Sequence, residues 1–155
     1  MPLLLTIITD PNPVLRKKSR KLDPKKLKTR QIQELCEDMV LTMLKKDGVG
    51  LAAPQIGKNI RVITVNTKDG AICMINPEIT KRSWLKEWGA EGCLSIPGVF
   101  GQVRRHKKVD YSYIDGSGKT IKMSAAGLLA RVLQHEIDHL DGILFTDKAR
   151  DIIRN

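Results

Sequence analysis

The stretch SAAGLLARVLQHEIDHLDG, residues 124–142, carries apolar side chains at spacings of three and four. Such spacing places them on one stripe of an α-helix. Ser124 stands at a position suited to a helix cap, and Gly142 lies just past the last apolar residue. The pattern therefore predicts a helix from about Ala125 to Leu140.

Two histidines on this helix predict a metal site. His135 and His139 are four positions apart, so their imidazoles lie on the same face and within reach of one ion. The carboxylate of Glu136 flanks that site, where it could hold a water molecule and accept a proton. Leu128 and Val132 continue the histidine face and predict an apolar wall beside the ion.

A catalytic site of this kind needs a third protein ligand and one open position. Phe145 stands where one protease pattern requires a further histidine, and no glutamate follows Glu136, which another pattern requires. Asp147 and Asp151 are weaker downstream candidates. An upstream ligand is therefore favoured.

The upstream candidates are the cysteines and His106. An odd number of cysteines at irregular spacing does not predict a disulfide framework, so Cys36 and Cys73 are expected to be free thiols buried in a helix and a strand. His106 lies among basic residues, which predicts a solvated side chain. Cys93 follows Gly92, whose small size allows close backbone approach, and a thiolate suits a transition metal. A buried structural thiol is the alternative for Cys93.

The rest of the chain predicts one further helix and at least four strands. Thr29 is suited to cap an amphipathic helix that ends near Gly48. Four strands are expected, in two hairpins, at 60–65, 71–75, 109–114 and 120–123. The expected fold is α+β, with mostly antiparallel strands around a central motif helix and an N-terminal amphipathic helix, in a single domain over residues 1–155.

The chain is strongly basic, with 27 Lys and Arg against 17 Asp and Glu and a net charge of +10. Nine cations fall within residues 16–30, which predicts either a solvated face or a contact with a polyanion. Trp84 and Trp88 lie outside this run, which argues against nucleic acid as the main ligand. No apolar run approaches the roughly 20 residues that span a bilayer, so no membrane contact is expected. A reducing, cytoplasmic location is expected.

Three stretches resemble the signature motifs of peptide deformylases: GVGLAAPQ at 48–55, EGCLS at 91–95 and QHEIDH at 134–139. They occur in the family's order and at its approximate separations, and the resemblance covers nearly the whole chain. It implies a metal-dependent hydrolase that removes the formyl group from the N-terminal formyl-methionine of nascent polypeptides and releases formate.

The resemblance also implies a role for individual residues. It implies metal binding by Cys93, His135 and His139 and catalysis by Glu136. Oxyanion stabilisation would come from the Gln55 side chain and the Leu94 backbone N–H. Residues expected to bind the methionine and the adjoining peptide are Val49, Gly50, Glu91, Gly92, Leu128, Arg131 and Val132.

The resemblance implies one divalent transition metal ion per chain, with Fe²⁺ expected in the cell. Zn²⁺, Ni²⁺ and Co²⁺ also suit a thiolate with two imidazoles. A zinc-dependent endopeptidase and a basic RNA- or ribosome-binding module remain as alternatives. The missing downstream ligand argues against the first, and Glu136 and Gln55 have no task in the second. For a deformylase, whose substrate emerges from the ribosome, the basic segment 16–30 is a candidate contact with ribosomal RNA.

Overall fold

The computed structural model describes residues 1–155, which form two α-helices and eight strands. The helices are α1 (Arg30–Lys45) and α2 (Gly127–Leu140). The strands are β1 (Gly50–Ala52), β2 (Val62–Thr67), β3 (Gly70–Arg82), β4 (Lys86–Cys93), β5 (Ile96–His106), β6 (Lys108–Ile114), β7 (Thr120–Ala126) and β8 (Arg150–Arg154).

The strands form two sheets. One has five strands in the order β1-β2-β3-β6-β7, and the other has three in the order β4-β5-β8. Neighbouring strands pair antiparallel in both sheets. The predicted α+β class with antiparallel pairing is therefore confirmed. No helix is both long and apolar enough to cross a membrane.

The four predicted strands correspond to β2, β3, β6 and β7, whereas the three-stranded sheet was not predicted. Its longest strand, β5, turns alternate residues inward, including Gly101, Val103 and Arg105. An arginine and a glycine at buried positions hide the apolar alternation by which a strand is recognised in sequence. Of its two partners, β4 directly precedes it, whereas β8 is only 5 residues long and lies far along the chain, so only the tertiary structure completes this sheet.

The N-terminal end of α2 differs from the prediction. The helix begins at Gly127 after Ala126, which makes no side-chain cap, so the expected cap at Ser124 is wrong. Pairing with β6 continues as far as Ala126 and holds the preceding residues extended. The Ser124 hydroxyl instead donates a hydrogen bond of 2.7 Å to Asp110 on the neighbouring strand.

Helix α2 packs between the two sheets. Leu133 and Leu140 are fully buried in a core cluster shared with the five-stranded sheet. Burying a leucine completely contributes roughly 1.5–3 kcal/mol. On the other side, the Gln134 amide accepts from the His106 N–H and donates to the His106 carbonyl, both at 3.0 Å. These contacts fix α2 against β5, so the orientation of the motif face depends on both sheets.

Two cysteines do not have the state expected from the sequence. Cys36 of α1 and Cys73 of β3 are joined as a disulfide, with Cα atoms 5.7 Å apart, and Cys93 is the free cysteine. The expectation of free buried thiols at both positions is therefore wrong. The two residues are 37 positions apart, and only the packing of α1 on the five-stranded sheet makes them neighbours.

Gly142 shapes the chain just after α2. Its φ of 74° lies in the left-handed region, and a Cβ atom there would overlap the backbone carbonyl of Arg16. The Arg16 side chain pairs with Asp147 at 2.6 Å. The end of α2 is thereby held against the N-terminal segment of the chain.

Candidate metal centre and its cavity

Three predicted ligands meet at the inner face of α2. The Sγ of Cys93 and the ring nitrogens of His135 and His139 lie within 4.8 Å of one another. Cys93 Sγ and His139 Nε2 are 3.4 Å apart. A tetrahedral ion with Zn–S and Zn–N bonds of ordinary length would require a separation of about 3.5 Å between these atoms. The donor set and its spacing therefore fit a divalent transition metal ion.

The ring of His135 is oriented by Glu91. Its Nδ1 donates to Glu91 Oε1 at 2.8 Å, which turns Nε2 towards the cluster. The buried Phe145 ring lies against the same imidazole, with centroids 6.1 Å apart. Phe145 stands where one protease pattern requires a metal ligand, but here it packs against a candidate ligand instead.

Glu136 is buried beside the cluster. Its Oε2 lies 4.0 Å from His135 Nε2, and its Oε1 has no hydrogen-bond partner. Burial raises the pKa of Glu136 to about 7, although the positive charge of His135 opposes this. A carboxyl with a pKa near neutrality can both accept and release a proton at physiological pH.

Gly50 leaves room for this carboxylate. A Cβ atom at Gly50 would lie 2.5 Å from Glu136 Oε2 and 2.8 Å from its Cδ. Close approach to a substrate backbone was the reason expected from the sequence. The structure adds that any side chain at this position would displace Glu136.

The pKa values of the two histidines are shifted in opposite directions. Burial would lower the pKa of His135, but Glu136, Cys93 and Glu91 outweigh it and raise that pKa to about 10. Burial and the nearby charge of His135 hold the pKa of His139 well below its ordinary value. Because a metal ion needs neutral imidazoles, metal binding at this cluster must release the proton of His135.

The amide of Gln55 is aimed at the cluster by its own hydrogen bonds. The Ala52 backbone N–H donates to Gln55 Oε1 at 2.9 Å. The opposite end, Nε2, therefore faces Ser95 Oγ at 3.1 Å and Cys93 Sγ at 3.4 Å. A short 3₁₀ turn, Ala53–Ile56, gives the side chain this position.

Glu91 is the centre of a buried charge network. Both of its carboxylate oxygens accept from Arg105 at 2.9 Å, and Oε2 also accepts from Arg131 at 2.7 Å. Arg105 is 3% exposed and bonds Asp138 of α2 at 2.6 Å. Burial would raise the pKa of Glu91, but the hydrogen bonds from Arg105 and His135 outweigh it and hold that pKa far below the ordinary range.

Sequence reasoning missed Arg105 and Asp138. A signal did exist for Arg105, since it continues the inward-facing series of Gly101 and Val103 on β5. Asp138 lies inside the two-histidine motif, but its partner could not be identified without the tertiary structure.

A cavity of about 430 Å³ opens beside the cluster. This volume is within the usual range for small-ligand sites. Gln55, Leu94 and Glu136 line it together with the residues predicted to bind substrate, which are Val49, Gly50, Glu91, Gly92, Leu128, Arg131 and Val132. The segment 96–100 and Ala90 also line it and were not predicted, although they flank the EGCLS motif directly.

The other candidate ligands lie elsewhere. Asp147 pairs with Arg16, and Asp151 is exposed beside Arg150. His106 is half-buried, with its Nδ1 at 2.7 Å from the Ser83 carbonyl, so the expectation of a solvated histidine is wrong.

Removing the charge of Glu91 tests the network. We expect Glu91→Gln to lower the free energy of unfolding by about 3–5 kcal/mol, because the buried guanidinium of Arg105 loses its main counter-charge. Asp147→Asn is the matched control at the exposed Arg16 pair and should cost less than about 1 kcal/mol. Urea unfolding of both variants measures this, and equal small losses would show that the network contributes no net stability.

Comparison with known proteins identifies the family. Residues 4–155 match the family model described as polypeptide deformylase. A peptide deformylase of Alkaliphilus metalliredigens is 50% identical over 92% of this chain and 94% of its own length. That of Symbiobacterium thermophilum is 48% identical over 96% of this chain and 68% of its own length.

A solved structure gives the same result. The Met-Ala-Ser-bound crystal structure of a class I type b peptide deformylase from Acinetobacter baumannii has a TM-score of 0.91 at 35% identity. The match covers 96% of this chain and 99% of that one. The fold, the family match over residues 4–155 and the thiolate–imidazole cluster all agree. The chain therefore belongs to the polypeptide deformylase family.

Proposed function

We propose that this chain hydrolyses the formyl group from the N-terminal methionine of nascent polypeptides and releases formate. The observation that carries the proposal is the cluster of Cys93, His135 and His139. It lies beside a cavity that Glu136 and Gln55 line. The relative from Acinetobacter baumannii binds Met-Ala-Ser, which is the peptide that remains when formyl-Met-Ala-Ser loses its formyl group. The whole chain, residues 1–155, would act as one catalytic unit organised around α2, with the amphipathic α1 behind it.

Cys93, His135 and His139 would hold one divalent transition metal ion. Such an ion supplies Lewis-acid polarisation of a carbonyl and lowers the pKa of a water molecule. Ferrous iron is the proposed ion in the cell, a cytoplasmic location is proposed with it, and zinc, nickel or cobalt would also suit the ligands. Cys93 is half-buried, and its thiolate would make activity sensitive to oxidation.

Glu136 would move the proton of the reaction. Its carboxylate accepts the proton of the attacking water and then delivers it to the leaving amine, so one group serves as base and acid. The pKa of about 7 suits both tasks. Gly50 keeps space for this side chain, and burial keeps competing solvent away from it.

Gln55 and the Leu94 backbone N–H would stabilise the negative charge that develops on the formyl oxygen. The Nε2 of Gln55 is preorganised because Ala52 fixes the other end of the amide. A preorganised donor of this kind contributes roughly 3–4 kcal/mol to the transition state in comparable sites. Its loss should therefore lower kcat more than it raises KM.

The cavity would take the methionine side chain and the adjoining peptide. Val132 and Leu128 give it an apolar wall on α2. The guanidinium of Arg131 is occupied by Glu91 and by the Val103 and Glu87 carbonyls. Arg131 therefore offers its aliphatic stem, which suits methionine better than an acidic side chain. Endopeptidase activity is not favoured, because the proposed third ligand lies upstream of the motif.

The proposed activity is tested with formyl-Met-Ala-Ser and its acetylated analogue. We expect anaerobically prepared, iron-loaded protein to release formate from the first peptide and to leave the second intact. Formate dehydrogenase coupling measures the product. Cleavage of an internal peptide bond without formate release would refute the proposal.

Two variants distinguish the proposed proton carrier from a proposed metal ligand. We expect Glu136→Gln to retain about one metal equivalent and to lose several orders of magnitude in turnover, because the ligands remain and the proton acceptor is gone. Cys93→Ala should lose the metal, since a ligand is removed. Metal analysis of both folded variants checks this, and a metal-free Glu136→Gln protein would mean that Glu136 is not primarily a proton carrier.

We further propose that the basic segment 16–30 contacts ribosomal RNA. Arg16 and Arg30 pair with acids, whereas the other cations of the segment are exposed and make no ion pair. These are Lys17, Lys18, Arg20, Lys21, Lys25, Lys26 and Lys28. Their counterion release would favour a polyanionic surface.

Reversing the charge of Lys17, Lys18, Lys25 and Lys26 tests this contact. We expect weaker co-sedimentation with ribosomes and unchanged hydrolysis of a short formyl peptide, because the segment lies outside the cavity. Binding of the unmodified chain should fall steeply between about 50 and 200 mM salt. Unchanged co-sedimentation of the variant would rule the contact out.

A further inference from the structure

Both tryptophans of the chain are exposed at one place, where the two sheets are connected. Trp84 precedes β4 and is 91% exposed, Leu85 beside it is 58% exposed, and Trp88 within β4 is 42% exposed. Large aromatic side chains are usually buried, so an exposed cluster of them indicates an interaction site. Neither tryptophan lines the catalytic cavity.

The turn that presents Trp84 is held by hydrogen bonds. The Ser83 N–H donates to the Lys108 carbonyl at 2.9 Å, and the Lys107 N–H donates to the Leu85 carbonyl at 3.0 Å. The Lys108 N–H donates to the Ser83 hydroxyl at 3.1 Å. The connection from β3 to β4 therefore lies beside the connection from β5 to β6, which brings two exposed lysines next to Trp84.

The outer face of β4 and β5 adds further cations. Lys86 and Trp88 are two residues apart on β4 and therefore share one face. Arg104 on β5 lies directly opposite Trp88. Arg150 of β8 places its guanidinium 3.5 Å from the centre of the Trp88 ring. The opposite face of the same strands carries the buried charge network, in which Trp88 and Arg104 take no part.

We name this surface the tryptophan patch. It comprises Trp84, Leu85 and Trp88 with the exposed cations Lys81, Arg82, Lys86, Arg104, Lys107, Lys108 and Arg150. Within residues 81–88 the only acid is Glu87. The sequence separates these residues over three segments. The β3–β4 and β5–β6 connections bring two of the segments together, and the pairing of β8 with β5 adds Arg150.

We propose that the tryptophan patch binds single-stranded RNA. Open sheet faces that carry aromatic and cationic side chains bind single strands by stacking bases and pairing phosphates. Trp84 offers a free ring for a base, and the surrounding lysines and arginines offer charge to phosphates. Arg150 covers one face of Trp88, so Trp88 contributes mainly by holding that guanidinium in place.

A bilayer surface fits the patch less well. Tryptophan with lysine also suits a membrane interface. However, Trp88 lies on a sheet face, opposite Arg104 and under Arg150, rather than in a projecting turn. A bilayer would contact the turn at Trp84 and Leu85 and leave the arginines of the sheet unused.

Binding of a labelled oligouridylate to the full chain tests the proposal by fluorescence anisotropy. We expect Trp84→Ala to weaken affinity about fivefold or more, the usual effect of losing one stacked base. If four cations each neutralise one phosphate, affinity should fall about 50-fold between about 50 and 200 mM salt. Quenching of tryptophan fluorescence should accompany binding, since both tryptophans of the chain lie in the patch.

Two double variants with the same change in net charge separate a local contact from general attraction. Lys86→Glu with Arg104→Glu should lose RNA binding, whereas Lys68→Glu with Lys122→Glu, at exposed positions on the other sheet, should retain most of it. Both should keep the unfolding temperature and the hydrolysis of formyl-Met-Ala-Ser. Equal loss in the two double variants, or no RNA binding by the unmodified chain, would overturn the proposal.

Binding to lipid vesicles tests the alternative that the tryptophan patch contacts a membrane. Phosphatidylglycerol vesicles should not shift tryptophan emission at the salt concentration where RNA binds. A blue shift with vesicles and no quenching with RNA would assign the patch to a membrane surface instead. These readouts do not involve hydrolysis, so they stand or fall separately from the proposed enzymatic activity.

Discussion

The hydrogen bond from His135 to Glu91 is the interaction on which the site depends. It joins α2, which packs on the five-stranded sheet, to β4, which belongs to the other sheet. Glu91 can remain a buried carboxylate only because Arg105 and Arg131 compensate its charge. The same side chain therefore orients an imidazole of the candidate metal centre and links the two sheets.

This arrangement explains why the candidate centre draws on three separate segments. The histidines share a helix, but the proposed third ligand and oxyanion donor would have to approach a bound ion from other directions. Cys93 comes from the end of β4, and Gln55 from a 3₁₀ turn after β1. The Ala52 N–H fixes the amide of Gln55, whose Nε2 contacts Cys93 Sγ, so the two side chains are held relative to each other.

The two faces of the three-stranded sheet lie in different environments. Its inner side carries the paired charges of Glu91 and Arg105. Removing either side chain would leave the other charge buried with neither solvent nor a full counter-charge. Its outer side carries Trp88 and Arg104, which make no contribution to that network. A short antiparallel sheet can separate such chemistries because successive side chains point to opposite faces.

The sequence by itself determined the local features: the span of α2 to within two residues, four of the strands and the antiparallel α+β class. It also predicted that His135 and His139 could share an ion, because that needs only helical periodicity. The tertiary structure decided the three-stranded sheet, the Cys36–Cys73 disulfide and the partners of Arg105. The disulfide, the pairing of β8 with β5 and the Arg105–Asp138 contact all join residues far apart in the chain. A buried arginine cannot be distinguished from an exposed one in the sequence until its counter-charges are located.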